Sequence, residues 1–443
     1  METSFKKNRQ WLYSVTLIII IGIYAYLQVS HFLNVPEPRQ FPDSREYMEA
    51  ASSPIFSKQL WGGIKPPLVP IIYKLLHNNV EAITFVQLGF SIFSWIFLAY
   101  AVARTLNSSF LLPFVYVLIL GFSLSSGISM WNRLILSESF SLSILACFIG
   151  IWILILKEIT FKRVVMLIII STMFAFVRNA NGFMLLMLCG ILVIFTFLNR
   201  RTNQRRYYIA ISITFFILFL TSNAISNTNN RWTIYFLNVV SMRILPDKEL
   251  RAYFENHGMP VNESLMARAG KWSHEDDFAY YKDPELEHFR NWLYSHGKSI
   301  YFRYLLTHPS YLISKPLKDF QSMMYGDRLI YYAPKGFPVN ESLFSYLSSW
   351  TLFPVYVFLG GLFFGLNLIF AFSRKLIISW APIITILLVY PLAAIVWHAD
   401  AMEIDRHVLP VAVQARLGFI LLALFAFDAI LFEFFQKRHC EKK

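Results

Sequence analysis

Long runs of apolar residues alternate along the chain with shorter polar segments. About 20 apolar residues in a helix cross a hydrocarbon core roughly 30 Å thick, so each run near that length predicts a membrane-spanning helix. Such runs occupy residues 11–30, 82–103, 109–126, 139–156, 164–178, 181–198, 207–225, 346–372, 376–397 and 409–433. The pattern predicts an all-α polytopic membrane protein with about ten transmembrane helices.

Two of the polar segments are long enough to fold by themselves. In residues 31–81, helices are expected from Ser44 to Ala51, with Ser44 as the cap, and from Leu68 to Leu76. Residues 226–345 have balanced charges and scattered aromatic residues, which is typical of a folded lobe and not of a disordered linker.

Within the second long segment, apolar and charged residues alternate at helical spacing from His288 to Phe320. Pro309 and Pro316 interrupt this pattern, which predicts broken helices on the membrane surface. The chain therefore divides into an N-terminal transmembrane module (1–225, including the first external loop 31–81), a helical extracytoplasmic lobe (226–345) and C-terminal transmembrane helices (346–443).

Charge determines the predicted orientation of this layout. The 443-residue chain is 56% hydrophobic and only 15% charged, yet its formal net charge is +13. The basic residues follow alternate predicted spans, which fits the positive-inside rule and not a nucleic-acid partner. Both termini are then expected in the cytoplasm, and a bacterial plasma membrane is the expected location. Cys147 and Cys189 fall in spans, and with Cys440 they form no disulfide framework or metal-type spacing.

The predicted external ends of the spans gather ionisable and amide residues from separate loops. Ionisable groups close to the hydrocarbon are costly, so they tend to pair or to serve a site. The residues are Asp43, Glu46, Arg133, Glu138, Arg178, Asn179, Asn181, His398, Asp400, Glu403, Asp405, Arg406 and His407. Carboxylates and cations together at one membrane face suit a reaction between a lipid-linked anion and a water-soluble acceptor.

Asp43 is the candidate catalytic residue. Its carboxylate lies just after the first span, where it could take a proton from an acceptor hydroxyl or amine as a general base. The alternative is that Asp43 caps the helix that is expected to start near Ser44.

Glu138, Arg178 and Asn179 are candidate substrate-binding residues with structural alternatives. Glu138 opens the fourth span, where it is either a site carboxylate or a negative group favoured by a helix N-terminus. Arg178 lies at a predicted external end, against the orientation bias, so it either holds a phosphate or snorkels from a helix end. Asn179 follows it in a turn rich in hydrogen-bond donors.

The densest polar segment, residues 397–407, connects the last two predicted spans. Arg406 and His407 could hold a phosphate, with Asp405 or Glu403 orienting them. A salt-bridged turn is the structural alternative. The carboxylates and histidines also leave a divalent cation open as a cofactor, although no ligand spacing here is specific for one.

Several short motifs resemble those of the GT-C superfamily of membrane glycosyltransferases, which includes protein O-mannosyltransferases and the aminoarabinose transferases that modify lipid A. The similarity is one of layout over nearly the whole chain, with motifs over a few dozen residues. They are Pro42-Asp43-Ser44 followed by Tyr47, Ser137-Glu138, Arg178-Asn179, Asp405-Arg406-His407 and the stretch from Thr307 to Leu312. One departure is that many relatives carry two acidic residues adjacent or one apart in the first loop, whereas here Ser44 follows Asp43.

This resemblance implies transfer of a sugar from a polyisoprenyl-phosphate or diphosphate carrier to a lipid, glycan or protein acceptor at the outer face. Asp43 would be the catalytic base, and Arg178, Arg406 and His407 would bind the carrier phosphate. Two other classes stay open: a transporter or flippase of a lipid-linked or anionic substrate, and a polysaccharide polymerase or ligase. Charges near the bilayer midplane would favour the transporter, and arginines of the large loop would favour the polymerase.

Overall fold

The chain folds as an assembly of α-helices. The computed structural model describes residues 2–198, 202–228, 230–325, 332, 353–373 and 377–440, and these contain no β-strand, only a single bridge between Arg39 and Leu134. The helices of the first half are α1 (Glu2–Leu33), α2 (Pro42–Ser52), α3 (Lys58–Gly62), α4 (Leu68–Leu75), α5 (Val80–Thr105), α6 (Leu112–Ser123), α7 (Ser126–Ser129), α8 (Glu138–Lys157), α9 (Phe161–Val177), α10 (Asn179–Leu198) and α11 (Thr202–Asn227).

The second half begins with short helices and returns to long apolar ones. The short helices are α12 (Trp232–Val239), α13 (Lys248–Asn256), α14 (Glu263–Met266), α15 (Glu275–Lys282), α16 (Glu287–Trp292), α17 (Lys298–Thr307) and the longer α18 (Pro309–Tyr325). The C-terminal helices are α19 (Phe353–Ser373), α20 (Trp380–Leu387), α21 (Val389–Ala399) and α22 (Ile404–Cys440).

Long apolar helices make this a multi-pass membrane protein. Seven stretches of the described residues are long and apolar enough to cross a membrane: Tyr13–Leu33, Val80–Thr105, Glu138–Lys157, Asn179–Phe197, Gln204–Asn227, Ile377–Ala399 and Ile404–Phe434. An eighth arises if Ser109–Ser123 and Ser126–Arg133, which meet at a 63° bend, form one broken span. The predicted number of ten stays a prediction.

The two remaining predicted spans differ from the rest in length or in how much of them is described. The span predicted at 164–178 is the 17-residue helix α9. The span predicted at 346–372 lies partly outside the described residues, and its described part includes the apolar helix Val357–Ser373.

Helix α8 forms the centre of the bundle. Every residue from Glu138 to Leu156 is buried, and α8 packs against α5, α9, α20 and α22. A helix that is apolar all round can be buried on every side, whereas its neighbours expose apolar side chains outward. Glu138, the first residue of α8, is therefore buried inside the protein at one end of the bundle.

The opposite end of the bundle carries basic residues and a separate polar connection. Lys157, at the end of α8, donates hydrogen bonds to the carbonyls of Arg104 and Thr105. Nearby in sequence, the backbone N–H groups of Asn107 and Ser108 donate to the buried carboxylate of Asp428 at 2.8–3.1 Å. These contacts tie the connection between α5 and α6 to α22, far along α8 from Glu138.

The short helices of the second half have a hydrophobic core of their own. It is built from residues between Phe236 and Leu305, including the buried side chains of Phe254 and Phe289. Pro309 begins α18, as the break predicted there requires, but the break predicted at Pro316 is wrong because Pro316 lies inside α18.

A tertiary contact accounts for the uninterrupted helix at Pro316. Proline has no N–H, so the carbonyl four residues earlier, that of Leu312, loses its helical donor. Nε2 of the buried His398 lies 3.0 Å from this oxygen, and the Tyr301 hydroxyl lies 3.2 Å from His398 Nδ1. His398 therefore joins α21 to the short helices while it replaces the missing backbone donor.

Candidate active site at one end of the bundle

The first-loop helix starts before Ser44, and this sets the position of Asp43. The prediction that the helix begins at Ser44 is wrong: α2 begins at Pro42, which suits the first helical position, and Phe41 is the extended residue before it, although the Ser44 side chain does take part in capping this helix end. Ser44 Oγ accepts from Phe41 N–H at 2.9 Å and donates to the carbonyl of Ile135 at 2.6 Å. Asp43 lies in the first helical turn and its side chain makes no capping hydrogen bond.

The Asp43 carboxylate is shared by two cations. Lys65 Nζ lies 2.9 Å from Asp43 Oδ1, and Arg406 Nη2 donates to Asp43 Oδ2. Lys65 comes from the connection between α3 and α4, is 8% exposed, and also binds Glu46 Oε2 at 2.8 Å. The ammonium of Lys65 thus lies between the carboxylates of Asp43 and Glu46.

Glu138 joins two arginines that are distant in sequence. Its Oε1 accepts from Arg406 Nε at 3.0 Å and from Arg178 Nη2 at 3.1 Å. Glu138 is fully buried, and its Oε2 has no hydrogen-bond partner among the described residues. Glu138 therefore starts a helix and also holds two cations, while its role as a site carboxylate stays a prediction. We call Asp43, Glu138, Arg178 and Arg406 the ionic cluster.

Arg406 is the central member of the ionic cluster. It is 7% exposed and binds three carboxylates, the third being Glu403 Oε2 at 2.7 Å. The other oxygen of Glu403 accepts from the Tyr332 hydroxyl. Charge-assisted hydrogen bonds of this kind compensate for the cost of burying the guanidinium.

The electrostatics of Asp43 follow from these contacts. Burial by itself would raise the pKa of the Asp43 carboxyl, but the charges and hydrogen bonds of Lys65 and Arg406 outweigh it and hold this pKa well below its usual range. Asp43 is therefore ionised at neutral pH. With both cations in place it is a weak base, and it becomes a stronger one if either cation is drawn away.

The low pKa of Asp43 predicts a particular pH dependence of stability. A depressed folded-state pKa gives stability that is fully present above the ordinary value of 3.8 and is lost as pH falls through the lower folded value. The difference in unfolding temperature between wild-type protein and Asp43→Asn should therefore stay constant from about pH 8 to about pH 5 and shrink below about pH 4. A difference that shrinks already near neutral pH would contradict the ion pairing of Asp43.

The other predicted site residues lie beside the ionic cluster but have different partners. His407 Nδ1 lies 3.1 Å from Asp400 Oδ2, and the other oxygen of Asp400 accepts from Asn238 at 3.0 Å. Asp405 lies in the first turn of α22, next to Arg406. Arg178 also donates to the backbone carbonyl of His407 at 3.4 Å, which links the two predicted phosphate-binding segments.

Asn179 binds Arg231, a buried arginine that was not among the predicted site residues. Its Oδ1 accepts from Arg231 Nη1 at 3.1 Å, and Arg231 Nε donates to the carbonyl of Gly63 at 2.6 Å. Arg231 is 2% exposed, and its Nη2 has no hydrogen-bond partner in the part of the chain that is described. A Cβ at Gly63 would lie 2.2 Å from the Gln59 carbonyl oxygen, so a residue other than glycine would disturb the segment that receives Arg231.

Lys65 and Arg231 are the two residues of the site that sequence reasoning missed. A signal existed for Arg231, because it follows the predicted external end of a span, as Arg178 does, and so also opposes the orientation bias. Lys65 stands before two prolines between two short helices, and nothing in that pattern shows that it points at Asp43.

The described residues of the site offer hydrogen-bond donors for an anion. Among the described residues, no group of three or more His, Cys, Asp and Glu side chains is arranged to hold a metal ion. The carboxylates of Asp43, Glu46 and Glu138 are each held by Lys or Arg at hydrogen-bonding distance. An anionic ligand can compete with these carboxylates for their cations, and Arg231 offers one further N–H.

Comparisons with known proteins do not assign this site. No protein-family model matches the sequence, and no curated protein matches it either.

Proposed function

We propose that the protein is a GT-C-type glycosyltransferase with Asp43 as its general base. It moves a sugar from a polyisoprenyl-phosphate or diphosphate carrier to an acceptor at the extracytoplasmic face of a bacterial plasma membrane, with both termini in the cytoplasm. The observation that carries the proposal is that the first-loop carboxylate of Asp43 meets Arg406, Glu138 and Arg178 at one end of the bundle of apolar helices.

The ion pairs of Asp43 suggest how donor binding activates the base. A carrier phosphate at this end of the bundle competes for Lys65 and Arg406, which now bind Asp43. A planar guanidinium binds phosphate oxygens as well as it binds carboxylate oxygens. As the cations turn to the phosphate, the pKa of Asp43 rises toward its ordinary value and its carboxylate can accept a proton.

The proposed reaction is a displacement at the anomeric carbon of the donor sugar. The acceptor hydroxyl gives its proton to Asp43 while its oxygen forms a bond to the anomeric carbon of the sugar. The bond from that carbon to the phosphate oxygen breaks, and the carrier phosphate leaves with the electron pair. Arg406, Arg178 and Lys65 stabilise the negative charge on the leaving phosphate, with His407 next to them. Attack opposite to the leaving group inverts the anomeric centre.

The location of the charges favours an enzyme over a transporter. A transporter is expected to place its ionisable residues near the bilayer midplane, often at broken helices. Here the cations and carboxylates of the ionic cluster lie where α2, α8, α10 and α22 begin. Arg416, buried further along α22, donates to the backbone carbonyls of Ala412 and Met324. A site at the ends of the helices gives a lipid-anchored donor and a water-soluble acceptor access to the same carboxylate.

Deleting the gene and analysing envelope glycans and lipids by mass spectrometry tests the proposed function. We expect one sugar to disappear from one glycan or lipid and its carrier-linked form to accumulate. Wild-type protein should restore the sugar, and Asp43→Asn protein should not. Glu49→Gln, an exposed carboxylate on the same helix α2, is the control and should restore it. Unchanged glycan and lipid masses after deletion would overturn the proposal.

A further inference from the structure

A surface groove lies where the end of α11 meets the short helices of the second half. Its volume is about 490 Å³. Aromatic and hydrogen-bonding side chains both line it, and they include Asn227, Trp232, Tyr294, Ser295, Lys298 and Phe302. Tyr294 is 46% exposed and Phe302 is 51% exposed, so two large rings face outward in a concave surface.

Contacts between its walls hold the groove in place. Lys298 Nζ donates to Asn227 Oδ1 at 2.7 Å, which ties α17 to the end of α11. The same ammonium lies 5.8 Å from the centre of the Trp232 ring. Asn227, Trp232 and Lys298 are therefore held relative to one another before any ligand binds, which lowers the entropic cost of binding.

We infer that this groove binds the sugar chain of a glycan acceptor, an assignment that rests on the proposed function. A pyranose ring has an apolar C–H face that packs on aromatic rings and hydroxyls that need donors and acceptors at its edge. Trp232, Tyr294 and Phe302 provide the rings, while asparagine and serine side chains provide both donors and acceptors. None of the described lining residues is acidic and one is Lys298, so the groove suits a neutral or an acidic glycan.

The groove is connected to the ionic cluster through the segment that forms its wall. Arg231 lies between two lining residues, Asn230 and Trp232, and turns inward to bind Gly63 and Asn179. Asn179 directly follows Arg178, which holds Glu138. An acceptor in the groove thus contacts residues 230–232, whose Arg231 side chain reaches toward the ionic cluster. The groove lies at the same end of the bundle as Asp43.

The bilayer surface is the competing ligand for exposed aromatic residues near a helix end. Tyr and Trp are enriched at membrane interfaces, where their rings sit among lipid headgroups. A surface that lies on lipid is expected to be convex or flat and largely apolar. This groove is open and shallow, but asparagine and serine contribute four of its eight lining residues and the Tyr294 hydroxyl adds a further polar group, which favours a hydroxyl-rich ligand over lipid tails.

A direct binding measurement tests the assignment independently of catalysis. Saturation-transfer NMR would be recorded on purified full-length protein in detergent, with oligosaccharides released from the envelope of the deletion strain as probes. We expect wild-type protein to bind one of these oligosaccharides and the double variant Tyr294→Ala, Phe302→Ala to bind it about tenfold or more weakly. Leu306→Ala is the control, because Leu306 is a 77% exposed residue of α17 that does not line the groove.

Each outcome supports or overturns the assignment. Both replaced side chains are about half exposed, so the double variant should fold, and an unfolding temperature near that of wild type checks this. Unchanged glycan binding in the folded double variant would overturn the assignment. So would an absence of glycan binding by wild-type protein combined with weaker association of the double variant with phospholipid vesicles, which would mark the groove as a membrane contact.

Transfer kinetics separate this assignment from the proposed function. If both hold, the double variant should raise the KM for the glycan acceptor about tenfold and leave kcat nearly unchanged, because the rings bind the acceptor without touching the reacting atoms. If wild-type protein binds the glycan but transfers no sugar, the groove assignment stands and the proposed function fails. If transfer occurs with an unchanged acceptor KM, the proposed function stands and the groove assignment fails.

Discussion

Replacing Asp43 by asparagine is expected to lower the rate of sugar transfer by about 10²- to 10⁴-fold, the usual contribution of a general base. Asparagine keeps the size of the side chain and one oxygen that can accept from Lys65, but it cannot take up the acceptor proton. The effect should appear in kcat more than in donor affinity, because the lost interaction is made in the transition state. The measurement is single-turnover transfer from a synthetic polyisoprenyl-phosphate sugar to the acceptor that the glycan comparison identifies.

A control variant and the remaining contacts of Arg406 show that a loss of activity in Asp43→Asn would come from the missing base. Glu49→Gln removes an exposed carboxylate from the same helix and should leave the rate unchanged. Arg406 loses one partner in the Asp43 variant but keeps Glu138 and Glu403, so the protein is expected to fold. A folded Asp43→Asn protein with full transfer activity would exclude Asp43 as the base and would favour a polymerase or ligase that relies on arginines of the large loop.

Replacing Glu138 by glutamine should cause a large loss of stability, about 3 kcal/mol in the free energy of unfolding. Glu138 is fully buried, and one of its oxygens accepts from both Arg406 and Arg178. The amide keeps one acceptor oxygen but removes the charge that compensates the buried guanidinium of Arg406 and the partly buried one of Arg178, whose other described acceptor is the more distant carbonyl of His407. Denaturation in mixed detergent micelles, followed by circular dichroism, measures the change.

The opposite end of helix α8 provides a matched control for Glu138. Glu158 follows the last residue of α8 and pairs with Arg163 at 3.2 Å, but its side chain is 66% exposed. Exposed ion pairs contribute little, so Glu158→Gln should change the free energy of unfolding by about 0–0.5 kcal/mol. Equal effects of the two substitutions would show that the contacts of Glu138 with the arginines do not stabilise the fold.

The positions of charge in the sequence anticipated which residues would gather, but not how they pair. Asp43, Glu138, Arg178, Arg406 and His407 were predicted to share one face, and the fold brings them together. Only the structure excluded the alternative that Asp43 caps the helix. There, Ser44 accepts the hydrogen bond from the Phe41 N–H, and the Asp43 carboxylate binds two cations. The role of each residue in catalysis stays a prediction.

The sequence by itself determined the helices of this protein and the end of the bundle at which its polar residues lie. A long apolar run has to satisfy its own backbone hydrogen bonds in lipid, which leaves the helix as its conformation, and most charges lie at the ends of such helices, with the buried Arg416 of α22 as an exception. These are local constraints, and they hold whatever the neighbouring helices are.

Only the tertiary structure decided which side chains meet. Arg406 binds Asp43 across 363 positions of sequence, Arg231 reaches Gly63 across 168, and His398 supplies the donor that Pro316 removes from its own helix. Such contacts depend on how the helices pack and on the burial of each charge, because a buried cation needs a partner wherever the fold places one. No local pattern carries that information. For this reason Lys65 could be recognised as part of the site only from the folded chain, and the position of Arg231 in the sequence did not show which groups it binds.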